Sequence, residues 1–219
     1  MVVTELERVG EIVRSEFQAR HEARERGLAL HRDVIRGSAN AIRAAHRGDG
    51  ERAAELIGQA EQLLADIEAV LSPHPEIYHA GFVHDCQKEF AEANITLALL
   101  SDRPLPSPEQ LKVQLPAYLN GLAEAIGEVR RHVLDLVRRG NLERCEPLLQ
   151  RMDDIYSLLV TIDFPDAITG GLRRSTDVAR SILEKTRGDL TVAMRQQDLE
   201  AALRALEGRL ARGTAPASS

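Results

Sequence analysis

Apolar residues recur along this chain at spacings of three and four, and nowhere do they alternate in the period of two that a half-buried strand requires. Proline and glycine cut the periodic stretches into long blocks, so the pattern predicts an all-α protein. The first block covers about residues 4–47 and stops at Gly48-Asp49-Gly50, a turn that lets the next helix fold back. A second helix is predicted over 51–71, ended by Ser72-Pro73-His74-Pro75, because proline cannot continue the hydrogen-bond ladder and restricts the residue before it. A third follows over 76–100. Residues 101–116 hold Pro104, Pro106, Pro108 and Pro116 and read as a connector with at most a short helix near 109–113. A fourth helix is predicted over 117–139, closed by Gly140 with arginines facing the negative end of its dipole. The fifth starts near 143, tolerates Pro147 only close to its first turn, and ends near Phe164-Pro165. The last helical region, 167–210, is expected to break at Gly188-Asp189. One helical domain over 1–210 and a flexible tail over 211–219, too small and polar to pack, is the expected organisation.

Composition narrows the class. With 219 residues, 43% hydrophobic and 28% charged, the chain can bury a core, and disordered or fibrous classes are excluded. It has no run of about 18 apolar residues, and its first residues are charged where a signal peptide needs an apolar block, so a cytoplasmic protein is expected. Cys86 and Cys145 are too few for a disulfide framework or a thiolate metal site and read as free core thiols. A net charge of -6 argues against indiscriminate nucleic-acid binding, so any such site must be local. Only Lys88, Lys112 and Lys185 are lysine among 28 basic residues; the rest are arginine, whose planar fork suits phosphate oxygens.

Candidate chemistry sits on the third and fourth predicted helices. On a wheel of about 100° per residue, Phe82, Cys86, Phe90, Ala93, Leu97 and Leu100 form the core stripe of the third, with Asp85, Glu89, Glu92 and Thr96 along its flank. On the fourth, Tyr118, Leu122, Ala125, Val129, Val133 and Leu136 form the stripe, Glu124, Glu128 and Asp135 its flank, and His132 lies between. Like charges at i, i+4 repel unless a cation or a shared proton offsets them. If the two helices are neighbours, four acids converge, and carboxylate oxygens suit a hard cation such as Mg²⁺ or Mn²⁺. Each acid could equally be a surface residue paired with Arg130, Arg131 or Lys88. A ferritin-type di-metal bundle needs two Glu-x-x-His motifs on separate helices, and only Glu76 to His79 supplies one. Phosphate loops, nucleophile elbows and zinc spacings are absent from the sequence.

Four stretches, in order, resemble the translin/TRAX family: LHRDVIRGSANAIRAAHR from Leu30 to Arg47, QKEFAEA from Gln87, YLNGLAEAIGEVRR from Tyr118, and MDDIY from Met152 with LRRSTDVAR from Leu172. The resemblance spans residues 5–190. It implies an all-α protomer of about seven antiparallel helices, assembling into a hollow homo-oligomer, typically octameric, and, on the TRAX-like branch, a Mg²⁺-dependent endoribonuclease acting on single-stranded RNA. The catalytic acids carried over are Glu89, Glu92 and Glu124, with Glu128 matching a neighbouring metal ligand. Translin-type chains, which bind RNA without cutting it, lack this acidic set. The third acid is usually Asp in the family. Glu124 is one methylene longer, and a displacement of about 1 Å can cost about 100-fold in rate, which predicts a slow or selective catalyst. Arg32, Arg43, Arg47, Arg173 and Arg174 are the expected RNA-phosphate ligands. With seven aromatic residues, base stacking and sequence specificity should be weak. The alternatives are a non-catalytic oligomer binding single-stranded RNA or DNA, and a scaffold whose arginines are compositional.

Overall fold

A computed structural model describes residues 2–213, and among them every regular element is a helix. Six long helices, α1 (Val2–His46), α2 (Gly50–Leu71), α4 (Phe82–Leu100), α6 (Leu115–Arg138), α7 (Cys145–Val160) and α9 (Leu172–Gly213), are joined through three single turns, α3 (Pro75–Tyr78), α5 (Pro108–Leu111) and α8 (Asp166–Thr169). Several features differ from the sequence pattern. The helix expected to end near Phe164-Pro165 stops at Val160, and Gly170 (φ +61°) and Gly171 (φ +83°) separate the single turn α8 from α9 within the region expected to start at 167. The helix expected over 76–100 is split, because Gly81 adopts φ +68° and turns the chain between α3 and α4. The break expected at Gly188-Asp189 is absent: Arg130 of α6 donates to Thr186 Oγ1 at 3.1 Å and Asp189 Oδ2 at 2.8 Å, and these bonds offset the cost of about 1 kcal/mol for glycine inside a helix. Because α9 runs on to Gly213, the first three residues of the expected tail are helical; residues 214–219 lie outside the described residues.

The first two helices form an antiparallel hairpin. Asp49 caps α2 by accepting from Arg52 N at 3.1 Å, and Leu71 at the far end of α2 packs back on Gly27. α6 and α7 are likewise antiparallel, with the Cys145 thiol against Val133. α4 and α6 instead run in the same direction, since Lys88 at the start of α4 meets Glu124 near the start of α6. That requires the chain to return the length of α4, about 28 Å at 1.5 Å per residue, before α6 begins. The proline-rich stretch achieves it by staying extended, and Gln114 N bonds back to the Gln87 side chain at 3.1 Å.

The core surrounds α4. Sandwiched between α1, α2 and α6, this helix buries twelve residues on nearly every side, Glu92 and Gln87 among them, where the wheel predicted one stripe. Both cysteines are buried and free, as expected. No helix among the described residues is long and apolar enough to cross a membrane.

One buried amide locks the start of α6 to the α8–α9 corner. Asn120, 3% exposed, donates to Pro116 O at 2.8 Å and Thr169 O at 3.0 Å and accepts from Ser175 Oγ at 2.7 Å. Asn120→Ala should cost about 2–3 kcal/mol in urea unfolding, since each orphaned buried partner keeps its desolvation cost; a loss under 1 kcal/mol would contradict this role.

Candidate metal centre

The site forms at a close approach of α4 and α6. A Cβ at Gly121 would stand 2.7 Å from the Lys88 carbonyl oxygen and 3.0 Å from both Ala91 Cβ and Glu92 N, so the two backbones meet at glycine on one side and alanine on the other. Acids less than one turn from this contact face each other. Glu89, Glu92 and Glu124 each place a carboxylate oxygen within 4.8 Å of the other two. The sequence put these three on helix flanks; the close approach of the helices turns two flanks into one cluster.

Charge is distributed unevenly within it. Lys88 Nζ lies 2.7 Å from Glu124 Oε1 and 3.3 Å from Glu89 Oε1. Burial works against this ammonium, but the bond and charge of Glu124, with Glu89, outweigh it and raise its pKa. Glu92 is 9% exposed and has no hydrogen bond or ion pair among the described residues. Its burial, reinforced by the charges of Glu124, Glu89 and Glu128 and only partly opposed by that of Lys88, pushes its pKa up to about 8. A buried, unpartnered carboxylate beside two others fits a hard divalent cation, which would take the place of the proton that Glu92 otherwise keeps. All-oxygen donors favour Mg²⁺ or Mn²⁺ over softer ions.

Glu128, one turn beyond Glu124, stands outside the group of three. Its Oε2 accepts from His46 Nε2 at 2.5 Å, with Arg131 at 3.7 Å. The His46 bond, against the effect of burial and with the charges of His46 and Arg131, holds its pKa below the usual carboxylate range. His46 belongs to the last turn of α1, and its side chain is only 4% exposed, so a third helix completes the wall of the site. Its Nδ1 has no hydrogen-bond partner among the described residues. The His132 ring stands 6.2 Å away, and its pKa is lowered chiefly by burial and then by His46 and Arg144, which favours neutral imidazole. Asp85, which shares the flank in sequence, is exposed and lies outside the cluster.

Beside the acids, a groove of about 600 Å³ is lined by Arg43, His46, Arg47, Arg131, Asp135 and Arg139. Arg43 and Arg47 are among the five arginines that the sequence put forward as phosphate ligands; Arg131 and Arg139 are not. Their signal was the i, i+4, i+8 spacing with Asp135, which puts all three on one face of α6. Arg32 is exposed about three turns earlier on α1. Arg173 and Arg174 are exposed at the start of α9, and Arg173 lines a separate groove with Asp163, Asp166 and Asp177. The structure therefore gathers two of the five sequence-derived arginines in the groove that His46 links to Glu128. The Glu76 to His79 motif offers no ligand set: Glu76 pairs with Arg20 at 3.3 Å, and His79 packs edge-on against Tyr78.

No protein-family model matches this sequence. The chain is 31% identical over 186 residues to the uncharacterized protein MJ0175 of Methanocaldococcus jannaschii, covering 84% of this chain and 82% of that protein. Among solved structures, AfC3PO in complex with duplex RNA superposes with a TM-score of 0.80 at 32% identity, covering 85% of this chain and 96% of that one. AfC3PO alone gives 0.79 at 32%, over 85% and 97% of the two chains. The fold is shared more distantly with apo-NeC3PO, TM-score 0.71 at 21% identity over 86% and 96%. C3PO being the complex of translin and TRAX, a likeness of this extent shows that the chain belongs to the translin/TRAX family.

Proposed function

We propose that this protein is a Mg²⁺-dependent endoribonuclease acting on single-stranded RNA, with Glu89, Glu92 and Glu124 as the catalytic metal ligands and Glu128 as an adjoining one. The observation that carries the reading is Glu92, a buried carboxylate without a partner, held against two further carboxylates. When bound, such an ion supplies Lewis-acid polarisation of a phosphate oxygen and a more acidic water. The chain's own residues do the rest. His46 fixes the Glu128 carboxylate through Nε2, and Arg43, Arg47, Arg131 and Arg139 neutralise backbone phosphates in the groove alongside. Arg32, Arg173 and Arg174, distributed over the exposed surfaces of α1 and α9, extend that track only if several copies of the chain share one strand. A homo-oligomer, octameric by family resemblance and cytoplasmic, is the assembly we propose. It is supported by exposed apolar residues on the protruding first half of α1 (Leu6, Val9, Ile12, Val13, Phe17) and by Leu199, Leu203 and Leu206 on α9.

A second reading, RNA binding without cleavage, is favoured by Lys88, which already compensates two of the three acids. AfC3PO has been solved with duplex RNA, so both strand types belong in the test. Labelled single-stranded and duplex RNA incubated with Mg²⁺ should be cut by the wild type, preferentially as single strands, and by at least about 100-fold less with Glu89→Gln or with EDTA. Salt-sensitive retention of RNA without cleavage would select the second reading.

A further inference from the structure

Lys88 does more than pair with a surface acid. Its carbonyl oxygen is the atom nearest to where a Cβ on Gly121 would stand, so the residue sits at a close contact between α4 and α6, and its side chain is only 20% exposed. From there Nζ bridges two carboxylates on different helices, Glu124 at 2.7 Å and Glu89 at 3.3 Å. Both belong to the group of three acids, while Glu92, the most buried, has no ion pair with Lys88 and feels only the weaker field of its charge.

We propose that the Lys88 ammonium is the second cation of this centre. It occupies the place between Glu89 and Glu124, so the cluster takes one divalent ion instead of two, held by Glu92 and by the oxygens of Glu89 and Glu124 that Lys88 leaves free. This rests on reading the cluster as a divalent-metal centre. Two considerations support it. A second divalent ion between Glu89 and Glu124 would stand within a few Å of a fixed positive charge in a half-buried site, where repulsion is poorly screened. An ammonium also has three N–H donors; Glu124 accepts one at 2.7 Å, and a second faces Glu89, paired at 3.3 Å. The third is available to a non-bridging phosphate oxygen, the charge-neutralising task that a second ion performs in two-metal centres.

The test is calorimetric titration of Mn²⁺ into the metal-free full-length chain, as wild type, Lys88→Gln and Lys88→Arg. We expect one ion per chain for the wild type and for Lys88→Arg, and two for Lys88→Gln. Two ions in the wild type, or a single ion in Lys88→Gln, would overturn the assignment of Lys88 alone. If no variant or wild-type protein binds Mn²⁺, the metal-centre reading and this inference fail together. Should Lys88→Gln not fold, electron paramagnetic resonance of the Mn²⁺-saturated wild type decides: an isolated-ion spectrum supports the proposal, and a dipole-coupled pair overturns it.

Discussion

Glu92→Gln, stripped of divalent ions, should be more stable than the wild type by about 3–5 kcal/mol at pH 9 and equal to it near pH 4, because a Glu92 pKa of about 8 is far above the ordinary carboxyl value. At pH 4 the Glu92 carboxyl is protonated in both folded and unfolded chains, so an amide changes little. As pH rises above 4.5 the unfolded chain releases this proton while the folded chain keeps it, until its own pKa of about 8 is passed. Through that window the folded state binds more protons than the unfolded one, and stability falls with rising pH. Glutamine removes the dependence. A saturating divalent ion should act in the opposite direction on the wild type alone, adding about 2.7 kcal/mol at 100 times its dissociation constant. The same substitution should reduce the proposed Mg²⁺-dependent RNA cleavage by about 1000-fold or more, since it removes the acid of the three that Lys88 does not pair with. Urea unfolding at pH 4, 7 and 9 with EDTA or Mn²⁺ checks the first part. Parallel pH profiles for the two proteins would sink it.

Gly121→Ala is expected to destabilise the protein by about 2–4 kcal/mol and to weaken Mn²⁺ binding by at least about 10-fold, although alanine is the better helix former. The added methyl would lie 2.7 Å from the Lys88 carbonyl oxygen, a backbone atom that no rotamer change can move aside. Relief comes only by spreading α4 from α6, and that spreading carries Glu124 away from Glu89 and Glu92. Gly188→Ala on α9 is the control, because nothing lies within 4 Å of a Cβ there. It should gain about 0.5–1 kcal/mol and leave metal binding alone. If Gly121→Ala behaved like Gly188→Ala, close backbone approach would not be what assembles the acids.

The resemblance and the helical wheel both pointed at Glu89, Glu92 and Glu124, and the structure brings those three together. Other features were less legible for identifiable reasons. Gly81 ends one helix and Gly188 does not, yet both are single glycines in an apolar-periodic run. The difference lies in Arg130, which bonds to Thr186 and Asp189 from 56 and 59 positions away. The arginine groove was half visible, because Arg43 and Arg47 are close in sequence whereas Arg131 and Arg139 join them only through the packing of α6 beside the end of α1. His46 is one of seven scattered histidines until its Nε2 is seen on Glu128, 82 residues on.

What sequence alone determined is helix content, the main stops and the flanks on which acids stand, because these follow from local periodicity and from backbone restrictions at proline and glycine. Only tertiary structure decided that α4 is buried on nearly all sides, that Lys88 bridges two of the acids, and that Glu92 lacks a partner. These are consequences of how closely two helices approach. That distance depends on matching small residues, Gly121 and Ala91, on elements about thirty residues apart, a pairing invisible until the chain is folded.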